Sequence, residues 1–264
     1  TKTEQTDLLQ AMFGRNGESP LPILAPASPR DCFDTAIEAF RIAVRHMTPV
    51  FILSEGFLAN GSEPWRIPSV SEMEPFEIQH PDDPEGFQPY QREPDTLARP
   101  WVIPGTPGME HRLGGLEKAP VTGTVSYAPE DHEAMCSQRA DKVARIADTI
   151  PELEVSGQQQ GDLLVLSWGG SYGAVFTAVQ RAGRKGLSVG HAHLRHLNPF
   201  PPNLGDVLCR FDRVLVPELN SGQLAMLVKA RYLRDVESLS KIQGQPFSVS
   251  EIEAAIEGLL VRND

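Results

Sequence analysis

The 264-residue sequence has few cysteines, a deficit of positive charge and no long apolar run. Its three cysteines, Cys32, Cys136 and Cys209, lie far apart, so the closely spaced thiolates of a zinc or iron–sulfur site are absent. We expect buried, reduced thiols in a cytoplasmic protein. The net charge of -11 disfavours nucleic acid, whose phosphates require clustered Lys and Arg. No run approaches the roughly 20 apolar residues of a membrane span, so we expect no membrane partner either.

The chain is long enough for one large or two ordinary domains. It begins at Thr1 with the run TKTEQTDLL, which looks like the middle of a longer sequence. We therefore expect a piece of a larger subunit.

The run LLVLSWGGSYGA, residues 163–174, predicts a buried strand followed directly by a helix. Its apolar start shows no alternation, as in a strand covered on both faces of a parallel sheet. Gly169, Gly170 and Gly173 would let the chain turn sharply and approach another surface closely. This is the first half of a βαβ unit.

Strands and helices alternate along the rest of the chain, which predicts an α/β fold with a parallel, doubly wound sheet. Strands are expected at 187–193 and 213–217 and helices at 130–150 and 222–234, with a last helix opened by a capping box of Ser248 and Glu251. An earlier helix begins near Ser28 and has an apolar stripe, and a buried strand follows it at 50–53. The stripe consists of Phe33, Ile37, Phe40, Val44 and Met47.

Ten of the 23 prolines lie between residues 64 and 107, so no regular element can run far there. Five large aromatic side chains are spread through this arm: Trp65, Phe76, Phe87, Tyr90 and Trp101. We expect an arm docked by these aromatic anchors, and we expect it to pack against another chain.

Two groups of residues raise the question of a ligand site. The glycine turn at 169–173 could hold a phosphate, but its spacing departs from the dinucleotide fingerprint and no ribose-binding acid follows the next strand. His191, His193 and His196 could bind a metal, with the first two on one face of a strand. No carboxylate or cysteine stands beside them, so hydrogen-bonded histidines at a domain or subunit contact are favoured.

The residues alone therefore indicate a two-part α/β protein that belongs to a larger assembly. Three functions stay open at this point: an enzyme subunit, a non-catalytic interaction module, and an unrelated nucleotide-binding oxidoreductase. The last is disfavoured because the ribose-binding acid is missing.

Seven runs in order resemble the α subunit of 2-oxoacid:ferredoxin oxidoreductases, and the 2-oxoglutarate enzymes most of all. They are TKTEQTDLL (1–9), TPVFILSEGFLANGSEPW (48–65), GTPGMEHRLGGLEK (105–118), RADKVARIADTIP (139–151), LLVLSWGGSYGA (163–174), HLRHLNPFPPNLG (193–205) and VLVPELNSGQL (214–224). The resemblance implies the end of a thiamine-enzyme pyrimidine-binding domain at 1–62, a Pro-rich linker arm and Gly-rich loop at 63–129, and a transketolase-C-terminal-like domain at 130–264.

The implied reaction converts 2-oxoglutarate, coenzyme A and oxidised ferredoxin into succinyl-CoA, CO2 and reduced ferredoxin, reversibly. Pyruvate or branched-chain 2-oxoacids are the alternative substrates. The resemblance implies thiamine diphosphate, Mg²⁺ and a four-iron four-sulfur cluster in the assembled enzyme, carried mainly by a partner β subunit and not by this fragment alone. The implied partners are that β subunit, the remaining N-terminal part of the α subunit and ferredoxin.

The resemblance also suggests roles for individual residues. Lys2, flanked by Thr1 and Thr3, would hold the substrate carboxylate, and His111 and Arg112 would order the entrance or meet coenzyme A. The glutamate that activates the cofactor in this family lies in the part that is missing here, and Glu55 does not replace it. No catalytic residue is therefore assigned, and the fragment alone is expected to be inactive.

Overall fold

The computed structural model describes residues 2–260 and shows a mixed α/β chain. Its helices are α1 (Leu8–Phe13), α2 (Asp31–His46), α3 (Gly56–Asn60), α4 (Pro129–Arg145), α5 (Tyr172–Arg184), α6 (Leu204–Cys209), α7 (Gln223–Tyr232) and α8 (Val249–Leu260). Its strands are β1 (Ile23–Leu24), β2 (Phe51–Ile52), β3 (Val155–Gly157), β4 (Gly161–Trp168), β5 (Val189–Leu194), β6 (His196–Asn198), β7 (Phe211–Glu218) and β8 (Glu237–Ser240). None of the described helices is long and apolar enough to cross a membrane.

The main sheet has the order β3-β5-β4-β7-β8, with β3 antiparallel and the other strands parallel. The run 163–166 lies at its centre and is fully buried. Leu163 and Val165 pack with α5 and α8 on one face, whereas Leu164 and Leu166 pack with α6 and α7 on the other. Two covered faces explain why this strand has no polar alternation. The doubly wound prediction is confirmed.

A second, smaller sheet has the order β2-β1-β6. β1 pairs in parallel with β2 and antiparallel with β6, which follows β5 of the main sheet after one residue. The amino-terminal part of the chain and the part after residue 150 are therefore joined by a shared sheet.

One expectation about the amino-terminal part is wrong. The strand after α2 is not buried, because β2 has a strand partner on one side only, and Phe51 and Ile52 are 39% and 40% exposed. The apolar stripe of α2 does not face the core either, since Phe40 is 54% exposed. The helix buries a smaller and more polar stripe instead, made of Asp31, Thr35, Ala39, Ile42 and His46.

The apolar stripe of α2 holds the Pro-rich arm. The ring of Trp65 lies 4.9 Å from that of Phe33, and Phe76 lies 4.7 Å from Phe40. The indole of Trp101 donates a 3.0 Å hydrogen bond to a backbone oxygen near the end of α2, that of Val44. The arm is therefore docked by aromatic anchors, as predicted, and these anchors contact the same chain. Packing of the arm on another chain stays a prediction.

Candidate functional site

Ligands of doubly wound sheets usually bind where two neighbouring strands send their crossovers to opposite faces. Here that point lies between the carboxyl ends of β4 and β7, because α5 and α7 cover opposite faces. The side chain of Gln5 fills this crevice. Its amide nitrogen donates to the Trp168 carbonyl at 2.8 Å, and its amide oxygen accepts from the Leu219 nitrogen at 2.9 Å. The amino-terminal segment thus occupies the position where a cofactor would sit.

The turn contains glycines because side chains from other parts of the chain occupy the space that Cβ atoms would need. A Cβ on Gly169 would lie 2.7 Å from the Gln5 amide nitrogen, and one on Gly170 would lie 1.8 Å from the Glu55 carboxyl oxygen Oε1. Gly169 also has a φ of 61°, which disfavours other residues. A Cβ on Gly173 would meet nothing within 4 Å. The expected close packing therefore involves the first two glycines, and the surface they approach is the amino-terminal part.

Glu55 follows β2 and is buried against this turn, with 7% of its surface exposed. Neither carboxyl oxygen has a hydrogen-bond partner among the described residues. Burial raises the pKa of Glu55 to about 7, and the nearby amide of Gly170 opposes that rise. The cavity beside it measures about 30 Å³, little more than the space of one water molecule. An aminopyrimidine ring does not fit there.

Glu218, at the end of β7, is a second buried carboxylate, but its oxygens are satisfied. Burial raises its pKa, while hydrogen bonds from the amides of Leu224 and Ala225 and from Asn220 and Trp168 oppose the rise. The Leu224 and Ala225 amides lie 2.7 and 3.0 Å from its two oxygens. These amides belong to the first turn of α7, where a carboxylate is stabilised by free N–H groups. Glu218 therefore has a structural role.

His191 and His193 lie on one face of β5, as the alternation predicted. The hydroxyl of Ser167 bridges them, at 2.7 Å from His191 Nε2 and 2.8 Å from His193 Nδ1. Burial lowers the pKa of His191 to about 4, and burial together with the charge of Arg195 places the pKa of His193 well below its usual value. Both rings are neutral at pH 7. With Tyr172 they line a cleft of about 1220 Å³ between the two parts of the chain.

His196 lies in β6, contacts α2 and does not join the pair of His191 and His193. Its Nε2 is 2.6 Å from Glu38 Oε1 of α2, and Arg195 pairs with Asp31 and Glu38 of the same helix. Burial acts to raise the pKa of Glu38, but the hydrogen bond and charge of His196 and the contact with Arg195 outweigh it and lower the pKa. The favoured interpretation, hydrogen-bonded histidines at a domain contact, agrees with this geometry. No cluster able to hold a metal occurs within residues 2–260.

The proposed substrate-binding residues lie at the carboxyl edge of the main sheet. The amide of Thr3 donates a 3.4 Å hydrogen bond to the Gly244 carbonyl, and the exposed Lys2 crosses the same glycine. A Cβ at Gly244 would lie 2.9 Å from three carbons of the Lys2 side chain. Packing of the stem leaves the ammonium group in solvent. Thr1 lies outside the described residues.

His111 and Arg112 lie elsewhere, in the loop between the arm and α4. His111 Nδ1 is 2.8 Å from the Met109 carbonyl, and its ring lies 5.7 Å from that of Phe87. Arg112 is exposed. The structure therefore places His111 against the arm, and it places Lys2 against the loop that follows β8.

Neither the crevice at the switch point nor the cavity beside Glu55 has room for thiamine diphosphate. The crevice at the switch point is filled by Gln5, the cavity beside Glu55 is too small, and no metal cluster is present in the described part of the chain. Sequence reasoning missed Gln5, because a single glutamine in a polar segment carries no signal. Glu55 was placed at the correct edge of the sheet, since it follows a predicted strand.

Two family models match this chain. One, described as pyruvate flavodoxin/ferredoxin oxidoreductase, thiamine diphosphate-binding, matches residues 1–126, and the other, pyruvate:ferredoxin oxidoreductase core domain II, matches residues 161–252. The chain belongs to the 2-oxoacid:ferredoxin oxidoreductases. The resemblance given by its sequence runs is thereby confirmed.

Relatives in this family share the sequence over nearly the whole chain. The 2-oxoglutarate oxidoreductase subunit KorA of Mycobacterium tuberculosis is 53% identical over 98% of this chain and 40% of its own length. The 2-oxoglutarate synthase subunit KorA of Methanothermobacter marburgensis is 28% identical over 98% of this chain and 69% of its own. This chain thus spans less than half of the Mycobacterium relative.

A solved structure shares the fold. The 2-oxoglutarate:ferredoxin oxidoreductase from Magnetococcus marinus, with 2-oxoglutarate, coenzyme A and succinyl-CoA bound, matches with a TM-score of 0.93 at 28% identity. The match covers 98% of this chain and 46% of that one. The two parts of this chain are therefore arranged as in that enzyme.

The raised pKa of Glu55 predicts a pH dependence of stability. Its carboxyl group binds a proton more tightly in the folded than in the unfolded state, so stability falls as pH rises from about 4.5 to about 7, by up to about 3 kcal/mol. Glu55→Gln should remove this slope, because glutamine does not titrate. Urea unfolding at several pH values measures it. An equal slope in the wild type and the variant would contradict the assignment.

Proposed function

We propose that this chain is part of the α subunit of a thiamine-diphosphate-dependent 2-oxoglutarate:ferredoxin oxidoreductase. The complete enzyme would convert 2-oxoglutarate, coenzyme A and oxidised ferredoxin to succinyl-CoA, CO2 and reduced ferredoxin, reversibly. The observation that carries the proposal is the 0.93 TM-score over 98% of the chain to an enzyme solved with 2-oxoglutarate and succinyl-CoA bound. The 53% identity to a 2-oxoglutarate oxidoreductase subunit supports the same substrate.

In this proposal the chain supplies structure and one side of the active site. Thiamine diphosphate, Mg²⁺ and a four-iron four-sulfur cluster would be held mainly by a partner β subunit, and the remaining part of the α subunit would complete the site. The crevice at the switch point, which Gln5 fills, supports this division. Thiamine diphosphate supplies the carbanion for decarboxylation when bound. The divisions at residues 62 and 129 belong to the proposal as well.

The assembled enzyme tests the proposal through its substrate. We expect 2-oxoglutarate to support CoA-dependent reduction of ferredoxin, with a kcat/KM at least about tenfold above that for pyruvate, equivalent to about 1.4 kcal/mol. A preference for pyruvate or a branched-chain 2-oxoacid would assign the chain to an enzyme of the same family that acts on that substrate. Absence of activity with all 2-oxoacids would favour a non-catalytic interaction module.

We propose that Lys2 binds a carboxylate of the 2-oxoacid substrate, either the distal one or the one next to the 2-oxo group. An ammonium group attracts a carboxylate as a point charge, whereas arginine would make a two-pronged contact. The aliphatic part of the Lys2 side chain packs on Gly244, and its ammonium group is exposed at the edge of the sheet. His111 and Arg112 are proposed for the entrance or for coenzyme A. They lie on a different loop from Lys2, and His111 contacts Phe87 of the arm, so the two roles are separate in space.

Kinetics of variants in the assembled enzyme separate these roles. Lys2→Ala should raise the KM for the 2-oxoacid about tenfold or more and leave that for coenzyme A unchanged. The double variant H111A/R112A should raise the KM for coenzyme A only. Lys185→Ala is the control, because Lys185 pairs with Glu257 at the far end of α5 and should alter neither constant. An unchanged KM for the 2-oxoacid in Lys2→Ala would refute the assignment.

A further inference from the structure

Four side chains near the start of α4 form a cluster that the proposed reaction does not use. Cys136 and His132 lie four residues apart on one face of α4, with Sγ 3.7 Å from His132 Nε2. The other ring nitrogen of His132, Nδ1, is 2.6 Å from Glu117 Oε2. Arg139 Nη2 donates a hydrogen bond of 3.1 Å to the sulfur. A thiol, an imidazole and a carboxylate thus follow each other in line, with a guanidinium at the sulfur.

This order is that of an activated nucleophile. In the proposed tautomer the carboxylate of Glu117 accepts a hydrogen bond from Nδ1–H of His132, and Nε2 is then the base directed at the thiol. The same carboxylate stabilises the imidazolium that forms when Nε2 takes the thiol proton. The Arg139 guanidinium lies at the sulfur, within hydrogen-bonding distance. The cluster does not suit a metal, because Glu117 and Cys136 contact opposite nitrogens of the ring.

The other cysteines provide the contrast. All three were expected to be buried, but Cys32 and Cys136 are half-buried and Cys209 is exposed. Burial raises the pKa of the Cys32 thiol, and the charge of Asp31 adds to this rise. Within residues 2–260, the thiol of Cys209 makes no side-chain hydrogen bond. Cys136 alone among the three has a base and a cation in contact in the described structure.

A cavity of about 540 Å³ opens beside Cys136, between α4 and the segment after α1. This volume suits a small molecule. Arg15 and Glu18 line it, and Arg139 donates to the Glu18 backbone oxygen at 3.3 Å. The guanidinium of Arg15 is held there by the backbone oxygens of Ala11 and Ser19, and the cavity gives a small molecule access to the thiol.

We propose that Cys136 is a reactive thiol that exchanges with low-molecular-weight disulfides. The proton of Sγ passes to His132 Nε2 while Sγ attacks one sulfur of the disulfide. A bond forms between Sγ and that sulfur, and the bond between the two sulfurs of the disulfide breaks. The departing thiolate takes the proton from His132 and leaves as a free thiol. The Cys136 sulfur is oxidised and the departing sulfur is reduced, so the exchange needs no other oxidant.

The test is the labelling of the assembled enzyme, followed peptide by peptide with mass spectrometry. With iodoacetamide at pH 7, Cys136 should react at least about tenfold faster than Cys209, and His132→Gln should lower its rate to that of Cys209. Oxidised glutathione should add to Cys136 before Cys209. Cys32 reports on unfolding, since its labelling should stay slow and equal in the wild type and the variant.

Two results would overturn the proposal. One is a Cys136 that reacts no faster than Cys209 in the wild-type enzyme. The other is a fast rate that His132→Gln leaves unchanged while Cys32 stays protected, because the imidazole would then have no part in the reaction.

Discussion

Bare backbone at Gly169 and Gly170 allows the amino-terminal part of the chain to reach the carboxyl edge of the main sheet. Gln5 enters between β4 and β7, and Glu55 packs on Gly170, so a methyl group at either glycine would collide with a side chain. The small sheet makes the same connection through β1 and β6. The contact between the two parts of the chain therefore depends on glycine backbone at the turn, against which Gln5 and Glu55 pack.

This contact determines where a ligand can bind at the main sheet. In a doubly wound sheet the switch point is the usual ligand site, but here its polar groups are already paired with Gln5. The glycine turn is consequently structural, although its sequence resembles a phosphate cradle. The space that remains is the cleft lined by His191 and His193, which are neutral because burial lowers their pKa. A neutral pair bridged by Ser167 can hold a polar ligand or a partner surface without introducing charge.

Sequence patterns predicted the main sheet well because its strongest signals are local. The buried run at 163–166 and the capping box of Ser248 with Glu251 were both found as expected, the latter with a 2.7 Å bond from the Ser248 amide. Short strands such as β3 and β8 were missed. Each has at most four residues, and neither β3 nor β8 has a continuous apolar run.

The errors share one physical cause, which is that a pattern shows an apolar face and not what covers it. The apolar strand at 50–53 was expected to be buried, but Phe51 and Ile52 are exposed because β2 has a partner on one side only. The apolar stripe of α2 meets the aromatic rings of the arm. The candidate site depends on contacts between residues more than 100 positions apart, such as Gln5 with Trp168, which no local pattern encodes. The expected activity came from the family resemblance. The geometry explains why Gly169 and Gly170 have no side chains.

The most direct test of this account compares two substitutions three residues apart by thermal unfolding. Gly170→Ala would place a Cβ 1.8 Å from Glu55 Oε1 and should cost about 1–3 kcal/mol, which lowers the Tm by several degrees. Gly173→Ala, in the first turn of α5 with nothing within 4 Å, should be neutral or stabilise by up to about 1 kcal/mol. Equal shifts of the same sign in both variants would contradict the claim that the turn is bare because the amino-terminal part packs against it.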